Sequence, residues 1–529
     1  MTLSGFTWST HGDGSDFRRL EDVLRRSAAA TPDAIAVIEP GGATTFAHLD
    51  EAVNRFAAAL VAEGVQPGDR VCYLGENSTT FFEVLHGAAK AGAIPVPLNF
   101  RLAAPEIAHI VEDAAPRVAV LGPGMEIHAE TIAGTGVECV LTEVPHPGFA
   151  VLDAWRAGHP AVDPGHARDP EDTALMFYTS GTTGRPKGIE LSGRNLSSAL
   201  AGPLAVVGFD ADSVALAPVP FFHVTGFGLA LMAHLKGATL LMLNPDGPAD
   251  LCRILREHRV SHAVMVPTVI QFLLGLPEVR DAHWGTLSWI MYGGAPMPEP
   301  VLRDATEVFG CGFYQGYGLT ESTGGVALLG PQDHRPTPAT VHRLRSVGRV
   351  EGNNEVRIVD PATGADLPPG ERGEVIVRGG NVMKGYWRRP EDTAAAIDAD
   401  GWLHTGDGGS MDADGYLYLH DRLKDMIVTG GENVYPAEVE SVLTGHPGVA
   451  QVAVIGVPSQ RWGESPLAIV VRAAGADGEA LTAESLIEWA REHLAHFKCP
   501  TDVAFVEALP LNASGKLQKV RLREEFAGR

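Results

Sequence analysis

Tyr178-Thr179-Ser180-Gly181-Thr182-Thr183-Gly184-Arg185-Pro186-Lys187-Gly188 comes directly after the apolar run Ala174-Leu175-Met176-Phe177. A short apolar run reads as a strand, and the glycine- and hydroxyl-rich segment behind it reads as a loop. Small side chains let successive backbone N–H groups and hydroxyls turn toward one anion, while Lys187 adds a compact point charge. The segment suits a polyphosphate. It is not a Walker loop, because no Gly-Lys-Ser/Thr triplet stands at the required spacing. Gly-Thr-Thr-Gly alone would equally describe a surface turn; the full string ending in lysine is far more specific.

The chain on the N-terminal side alternates two periods. Leu49, Val53, Phe56 and Leu60 recur at helical spacing, and Val65-Gln66-Pro67-Gly68-Asp69 then turns the chain into a strand over 71–74. The pattern repeats as helix 81–91 with strand 93–98, and as helix 107–112 with strand 118–121, as a doubly wound α/β layer requires. Further apolar strands are expected at 238–243 and 263–266. Between 347 and 379 the reading changes to short strands, 356–359 and 374–377, punctuated by Pro368-Pro369-Gly370, which suggests an antiparallel segment. After the charged stretch Asp421-Arg422-Leu423-Lys424-Asp425 come strands at 452–455 and 467–471 and a helix capped by Thr482. We expect an α/β protein whose large N-terminal domain, 1–422, holds doubly wound sheets and a small β-subdomain, followed by a small mobile α+β domain, 423–529.

At 529 residues the chain is long enough for more than one core. Its 45% hydrophobic and 20% charged residues are those of an ordinary globular protein. A formal net charge of −24 argues against nucleic acid or an anionic membrane as partner, since both require a cationic face. Cys72, Cys139, Cys252, Cys311 and Cys499 show no CxxC spacing, consistent with reduced thiols in a cytoplasm. Residues 1–15 lack a basic start followed by an apolar stretch, and the most hydrophobic tract, around 227–232, meets His234 and Lys236 before reaching spanning length. A cytoplasmic protein without an integral membrane segment is expected, and a homodimer is compatible with the composition.

Further motifs follow in order: Gly293-Gly294-Ala295-Pro296, Tyr314-Gln315-Gly316-Tyr317-Gly318-Leu319-Thr320-Glu321-Ser322, Gly401-Trp402-Leu403-His404-Thr405-Gly406-Asp407, Asp421-Arg422-Leu423-Lys424-Asp425 and Gly515-Lys516. Together with the loop at 178–188 they resemble the signatures of the AMP-forming adenylating superfamily, which contains acyl-CoA synthetases, adenylation domains and firefly-type luciferases. The resemblance spans most of the chain and is nearest in look to actinobacterial fatty acyl-CoA ligases. It implies ATP, Mg²⁺ and CoA.

A carboxylate is a poor acyl donor, being anionic with oxide as its leaving group; a mixed anhydride with AMP removes both obstacles. The resemblance implies that the loop Thr179, Ser180, Gly181, Thr182, Thr183, Gly184 and Lys187 holds the β and γ phosphates, that Thr320 donates to the α-phosphate and that Glu321 ligates Mg²⁺, an ion that typically takes one carboxylate with phosphate oxygens and water. Tyr317 is implied to stack on adenine, with Gly293, Gly294 and Ala295 letting backbone pass close on the other side. Asp407 is implied to accept from the ribose hydroxyls, and Arg422 to reach the ribose or a phosphate. Lys516 becomes the cation that bridges carboxylate and α-phosphate, and Lys424 the pivot between an adenylating and a thioester-forming orientation. Gly430, Gly431 and Trp462 would line the path of the CoA arm.

His223, in Pro220-Phe221-Phe222-His223, sits where relatives place a residue between acyl pocket and CoA tunnel, and a structural histidine reads equally well there. Two departures stand out: Gly193 replaces the histidine that usually follows the phosphate loop, and Cys499 stands where some relatives carry an arginine for the CoA phosphates. The expected acyl walls, 223–228, 266–268, 292–294 and 316–319, show no charge aimed at a second carboxylate, so an apolar monocarboxylic acid is expected. With Gly226 and Gly228 leaving room for a chain, a medium or long fatty acid is the first reading. An aryl or cinnamate-type acid is the second, and a stand-alone enzyme loading a carrier protein is the alternative to CoA.

Overall fold

A computed structural model describes residues 17–180, 186–216, 218–293, 297, 299–422, 425–429, 432–459, 462–511 and 517–526. The chain forms two compact units, one comprising Met1–Val356 with Val377–His404 and the other Arg357–Ile376 with Thr405–Arg529. The sequence suggests a boundary after residue 422, whereas the second compact unit also takes in Arg357–Ile376 and the stretch from Thr405.

The alternating helix and strand periods of the first unit produce parallel sheets. Arg70–Leu74 pairs in parallel with Ile94–Leu98 on one side and Val118–Leu121 on the other, and the sheet continues through Cys139–Thr142 to Ala150–Val151. Among the described residues a second sheet has nine strands, with Gly312–Tyr317, Trp289–Gly293, His262–Met265, Val214–Leu216, Thr239–Leu241 and Ile35–Glu39 parallel in that order. Ala327–Leu329 and Arg349–Val350 extend it antiparallel beyond Gly312–Tyr317. Such runs are buried on both faces, which is why they read as continuous apolar segments. The helix Thr79–Lys90 is buried along nearly its whole length and carries Lys90 into the interior, where its ammonium donates to Asp50 at 2.5 Å and Asn54 at 2.7 Å.

Topology decides where a site can form. Strands Trp289–Gly293 and Gly312–Tyr317 end at the same edge of the nine-stranded sheet, and Arg349–Val350 ends there as well because two antiparallel reversals restore its direction. Ligands of open α/β sheets bind beyond this carboxyl edge. A third, smaller sheet joins the hairpin Thr173–Ser180 and Pro186–Ser192 to the short strand Gly385–Tyr386.

In the second unit, Ile427–Thr429, Glu432–Val434, Val449–Ser459, Gly463–Arg472 and Asp502–Phe505 form one sheet, covered by the helices Pro436–Thr444 and Ala483–His493 around Ile427, Leu443, Val454 and Leu486. Thr482 caps Ala483–His493 as its sequence suggests, its side chain accepting from the Ser485 N–H at 3.2 Å. A further sheet runs in the order Glu355–Val359, Gly373–Arg378, Leu403–Met411, Leu417–Arg422, the last pair antiparallel.

The turn into Arg349–Val350 depends on Gly348, which has φ +91° and lies so close to Leu328 that a Cβ would strike that residue's carbonyl. Gly348→Ala is expected to lower the thermal midpoint by several degrees, because the clash with backbone has no flexible side chain to absorb it; a scanning-fluorimetry midpoint unchanged within a degree would contradict this.

Candidate active site

The register of the hairpin sets Thr179 opposite Lys187 and Ser180 opposite Pro186. Gly181, Thr182, Thr183 and Gly184 lie outside the described residues, as do Gly294, Ala295, Lys424, Gly430, Gly431 and Lys516. Gly385–Tyr386 pairs antiparallel to the second hairpin strand, Tyr386 against Ile189. Lys187 lies two residues before Ile189 and so on the same face. The Lys187 ammonium consequently sits over the Tyr386 ring, 5.0 Å from its centroid, and 3.0 Å from an Asp392 carboxylate oxygen.

The hydroxyl of the same tyrosine donates to Glu321 Oε1 at 3.0 Å. Lys187 and Glu321, far apart in sequence, are thus held on the two ends of one side chain. Glu321 belongs to the 3-10 turn Thr320–Ser322, and the turn is tied down at every point. The Leu319 N–H donates to Ser322 Oγ, the Met383 N–H donates to the Glu321 carbonyl, and Thr323, at φ +54°, donates its hydroxyl to the Asn381 carbonyl. A β-branched residue in the left-handed region is uncommon and marks a backbone held by its surroundings.

Tyr317 is buried at the carboxyl end of its strand, and Gly293 is directly opposite Gly316 in the next one. A Cβ on Gly293 would lie 2.7 Å from the Gly316 carbonyl oxygen, so the two backbones meet more closely than side chains allow. His223 is half-buried and begins the helix Val224–Leu235. Its loop is clamped by Asn77, which donates to the Val219 carbonyl at 3.0 Å and accepts from the Phe221 N–H at 2.8 Å.

One expectation about the acyl wall changes. Gly226 does not open space for a chain; a Cβ there would lie 2.7 Å from the Pro220 carbonyl and 2.9 Å from that of Val219, so the missing side chain lets the loop close on the helix. Gly193, the departure after the phosphate loop, has a similar cause: it follows the N-cap Ser192, and a Cβ would run into the Arg18 carbonyl.

In the second unit, Asp407 is buried and directly opposite Arg422 across antiparallel strands, with its N–H donating to Thr405 Oγ1 at 3.0 Å. Trp462 is 46% exposed and directly precedes the strand Gly463–Arg472. Cys499 is buried in the core of this unit, burial raising its thiol pKa, and its Sγ lies 3.5 Å from the Ala495 carbonyl.

Tyr386, Asp392 and Asn77 were not among the residues expected from sequence. Tyr386 carried no signal beyond a short Gly-Tyr-Trp string, because its role arises only when a distant strand pairs with the hairpin.

The chain as a whole is similar to known enzymes over most of its length. Residues 24–387 match the family described as AMP-binding enzyme, and residues 438–516 match the AMP-binding enzyme C-terminal domain. The chain belongs to the AMP-binding enzymes. It is 41% identical over 502 residues to a feruloyl-CoA synthase of Amycolatopsis sp, covering 95% of this chain and 98% of that one. It is 37% identical to a fatty acid–[acyl-carrier-protein] ligase of Streptomyces coeruleorubidus, with 94% of each chain covered. The crystal structure of ATP-bound MatB from Rhodopseudomonas palustris superposes with a TM-score of 0.87 at 32% identity, over 96% of this chain and 99% of that one. The activity class is that of an AMP-forming acyl-CoA synthetase. No helix among the described residues is long and apolar enough to cross a membrane.

A hydrogen bond to a charged group contributes about 1.5–3 kcal/mol. Tyr386→Phe, which keeps the ring under Lys187 and removes the bond to Glu321, is expected to lower kcat/KM for ATP in pyrophosphate exchange by about tenfold or more. An unchanged value would show that Glu321 does not depend on this contact.

Proposed function

We propose that the protein activates an apolar monocarboxylic acid with ATP and passes the acyl group to CoA, releasing AMP and pyrophosphate. The observation that carries this reading is the linkage of Lys187 and Glu321 through Tyr386, which joins a cation and a carboxylate as a polyphosphate with its metal requires. Glu321 fits Mg²⁺ as a single half-buried carboxylate on a hydroxyl-rich turn, since that ion completes its shell from phosphate oxygens and water rather than from a protein cage. Bound there, Mg²⁺ would neutralise phosphate charge.

In this reading Lys187 and the loop from Thr179 to Gly184 take the β and γ phosphates, and Thr320 takes the α-phosphate. Tyr317 stacks on adenine beside the glycines that begin at Gly293, while Asp407 holds the ribose and Arg422 reaches the ribose or a phosphate. The carboxylate attacks the α-phosphorus as pyrophosphate leaves, and Lys516 neutralises the charge that develops between them. Lys516 must then withdraw before a thiol reaches the same acyl carbon. We assign that exchange to a rotation of residues 423–529 about Lys424, which brings Gly430, Gly431 and Trp462 to the CoA arm near His223.

A medium or long fatty acid is the first acyl class, each buried CH₂ contributing about 0.8 kcal/mol until the site is full. An aryl or cinnamate-type acid is the second, favoured by the similarity to a feruloyl-CoA synthase. Thioester formation with free CoA, compared with a holo carrier protein, separates CoA ligation from carrier loading.

The two lysines predict opposite patterns. Lys516→Ala should lose most pyrophosphate exchange, by about a hundredfold or more, yet still convert supplied acyl-adenylate and CoA into thioester. Lys424→Pro restricts the backbone at the pivot and should impair thioester formation more than exchange. Equal damage to both half-reactions in both variants would refute the two-orientation scheme.

A further inference from the structure

Glu351 follows the strand Arg349–Val350 and so lies just beyond the carboxyl edge of the nine-stranded sheet. Its backbone is fixed, with its N–H donating to the Val326 carbonyl at 2.9 Å and its own carbonyl accepting from the Asn354 N–H at 3.2 Å. The side chain is only 6% exposed, and Oε1 is wholly buried with no hydrogen-bond partner among the described residues. Burial pushes the carboxyl pKa up to about 8, so near neutral pH the group is largely protonated and has a hydrogen to donate.

Two glycines make room for this carboxyl. A Cβ on Gly202, in the helix Gly193–Val206, would lie 3.2 Å from Glu351 Cβ and 3.6 Å from Oε1, and one on Gly325 would lie 3.3 Å from Oε2. The Gly325 carbonyl is engaged by the side-chain amides of Asn354 and Asn381. Its neighbour Gly324 leads toward the acyl walls: a Cβ there would lie 3.2 Å from Val224 Cγ2, next to His223, and a Cβ on Gly318 would strike the Gly324 carbonyl. Glu351 therefore stands one residue behind the backbone that touches both the 223–228 and the 316–319 stretches. A buried carboxyl oxygen without a partner bears an uncompensated loss of hydration, which a hydrogen-bonding ligand group would relieve.

We propose that Glu351 is the polar end of the acyl site and selects acids whose tail carries a hydroxyl group, phenolic or alkyl, hydrogen-bonded to its carboxyl. The proposal rests on the acyl-CoA ligase reading and narrows its substrate class. It combines an apolar wall with one polar contact, as pockets for hydroxylated apolar acids require.

The test measures kcat/KM for pyrophosphate release with CoA, using matched acids that differ by one hydroxyl: cinnamic against para-hydroxycinnamic acid, and decanoic against omega-hydroxydecanoic acid. The native enzyme is expected to prefer the hydroxylated member of one pair by about tenfold or more, because a site built to bond a hydroxyl rejects the analogue lacking it. Glu351→Leu should erase that preference, while Glu351→Gln, which keeps a donor and an acceptor, should retain most of it. The ratio within one preparation does not depend on the folded fraction, so a poorly folding variant still reports. A native ratio near one in both pairs, or a ratio unchanged in Glu351→Leu, overturns the proposal. No turnover of any acid by the native enzyme would overturn the ligase reading beneath it, a result distinct from turnover without hydroxyl preference.

Discussion

The site depends on the pairing of a two-residue strand, Gly385–Tyr386, with the second strand of the phosphate-loop hairpin. That register puts Tyr386 beneath Lys187 and its hydroxyl on Glu321, so that two motifs far apart in the chain become one electrostatic unit. Neighbouring contacts hold the strand in place. The Lys384 N–H donates to the Glu190 carbonyl and the Trp387 N–H to the Gly188 carbonyl, while Asp113 gathers the Tyr178 hydroxyl, the Trp387 indole and the Arg389 guanidinium. Electrostatic catalysis requires charges positioned before a reaction, and Lys187 and Glu321 are positioned through backbone pairing of the strand that carries Tyr386.

Charge makes this local order necessary. In a chain of net charge −24, an anionic nucleotide must be met by cations held against the average field. Lys187 is largely shielded, and its ion pair with the more exposed Asp392 keeps it from swinging into solvent. Phosphate oxygens entering this position would compete with Asp392 for the same ammonium, an exchange of one anionic partner for another rather than the desolvation of a bare charge.

Much of the scaffold was legible in the residues because its signals are local. The parallel strand Val118–Leu121 stands where its apolar run ends, and the Thr482 cap acts through the Ser485 N–H. The strings at 178–188, Thr320-Glu321 and Asp407 stand out in the sequence, and the structure sets Asp407 opposite Arg422 in antiparallel register. What escaped the sequence depends on residues distant in the chain. Tyr386 has meaning only through its pairing with Ile189, Asn77 only through the loop it clamps, and Glu351 only through two glycines on other elements. Gly226 was misread for the same reason: a glycine on a helix looks like space until the backbone that fills it is known.

The central claim is that a carboxylic acid is activated as an adenylate at the site organised by Lys187, Tyr386 and Glu321. ATP–pyrophosphate exchange tests it most directly, measured on the native chain with a panel of alkyl and aryl acids in the absence of CoA. The account predicts exchange that requires both acid and Mg²⁺, proceeds without CoA, and yields AMP and thioester once CoA is added. Exchange absent with every acid, or ATP cleaved to ADP instead of AMP, would contradict it.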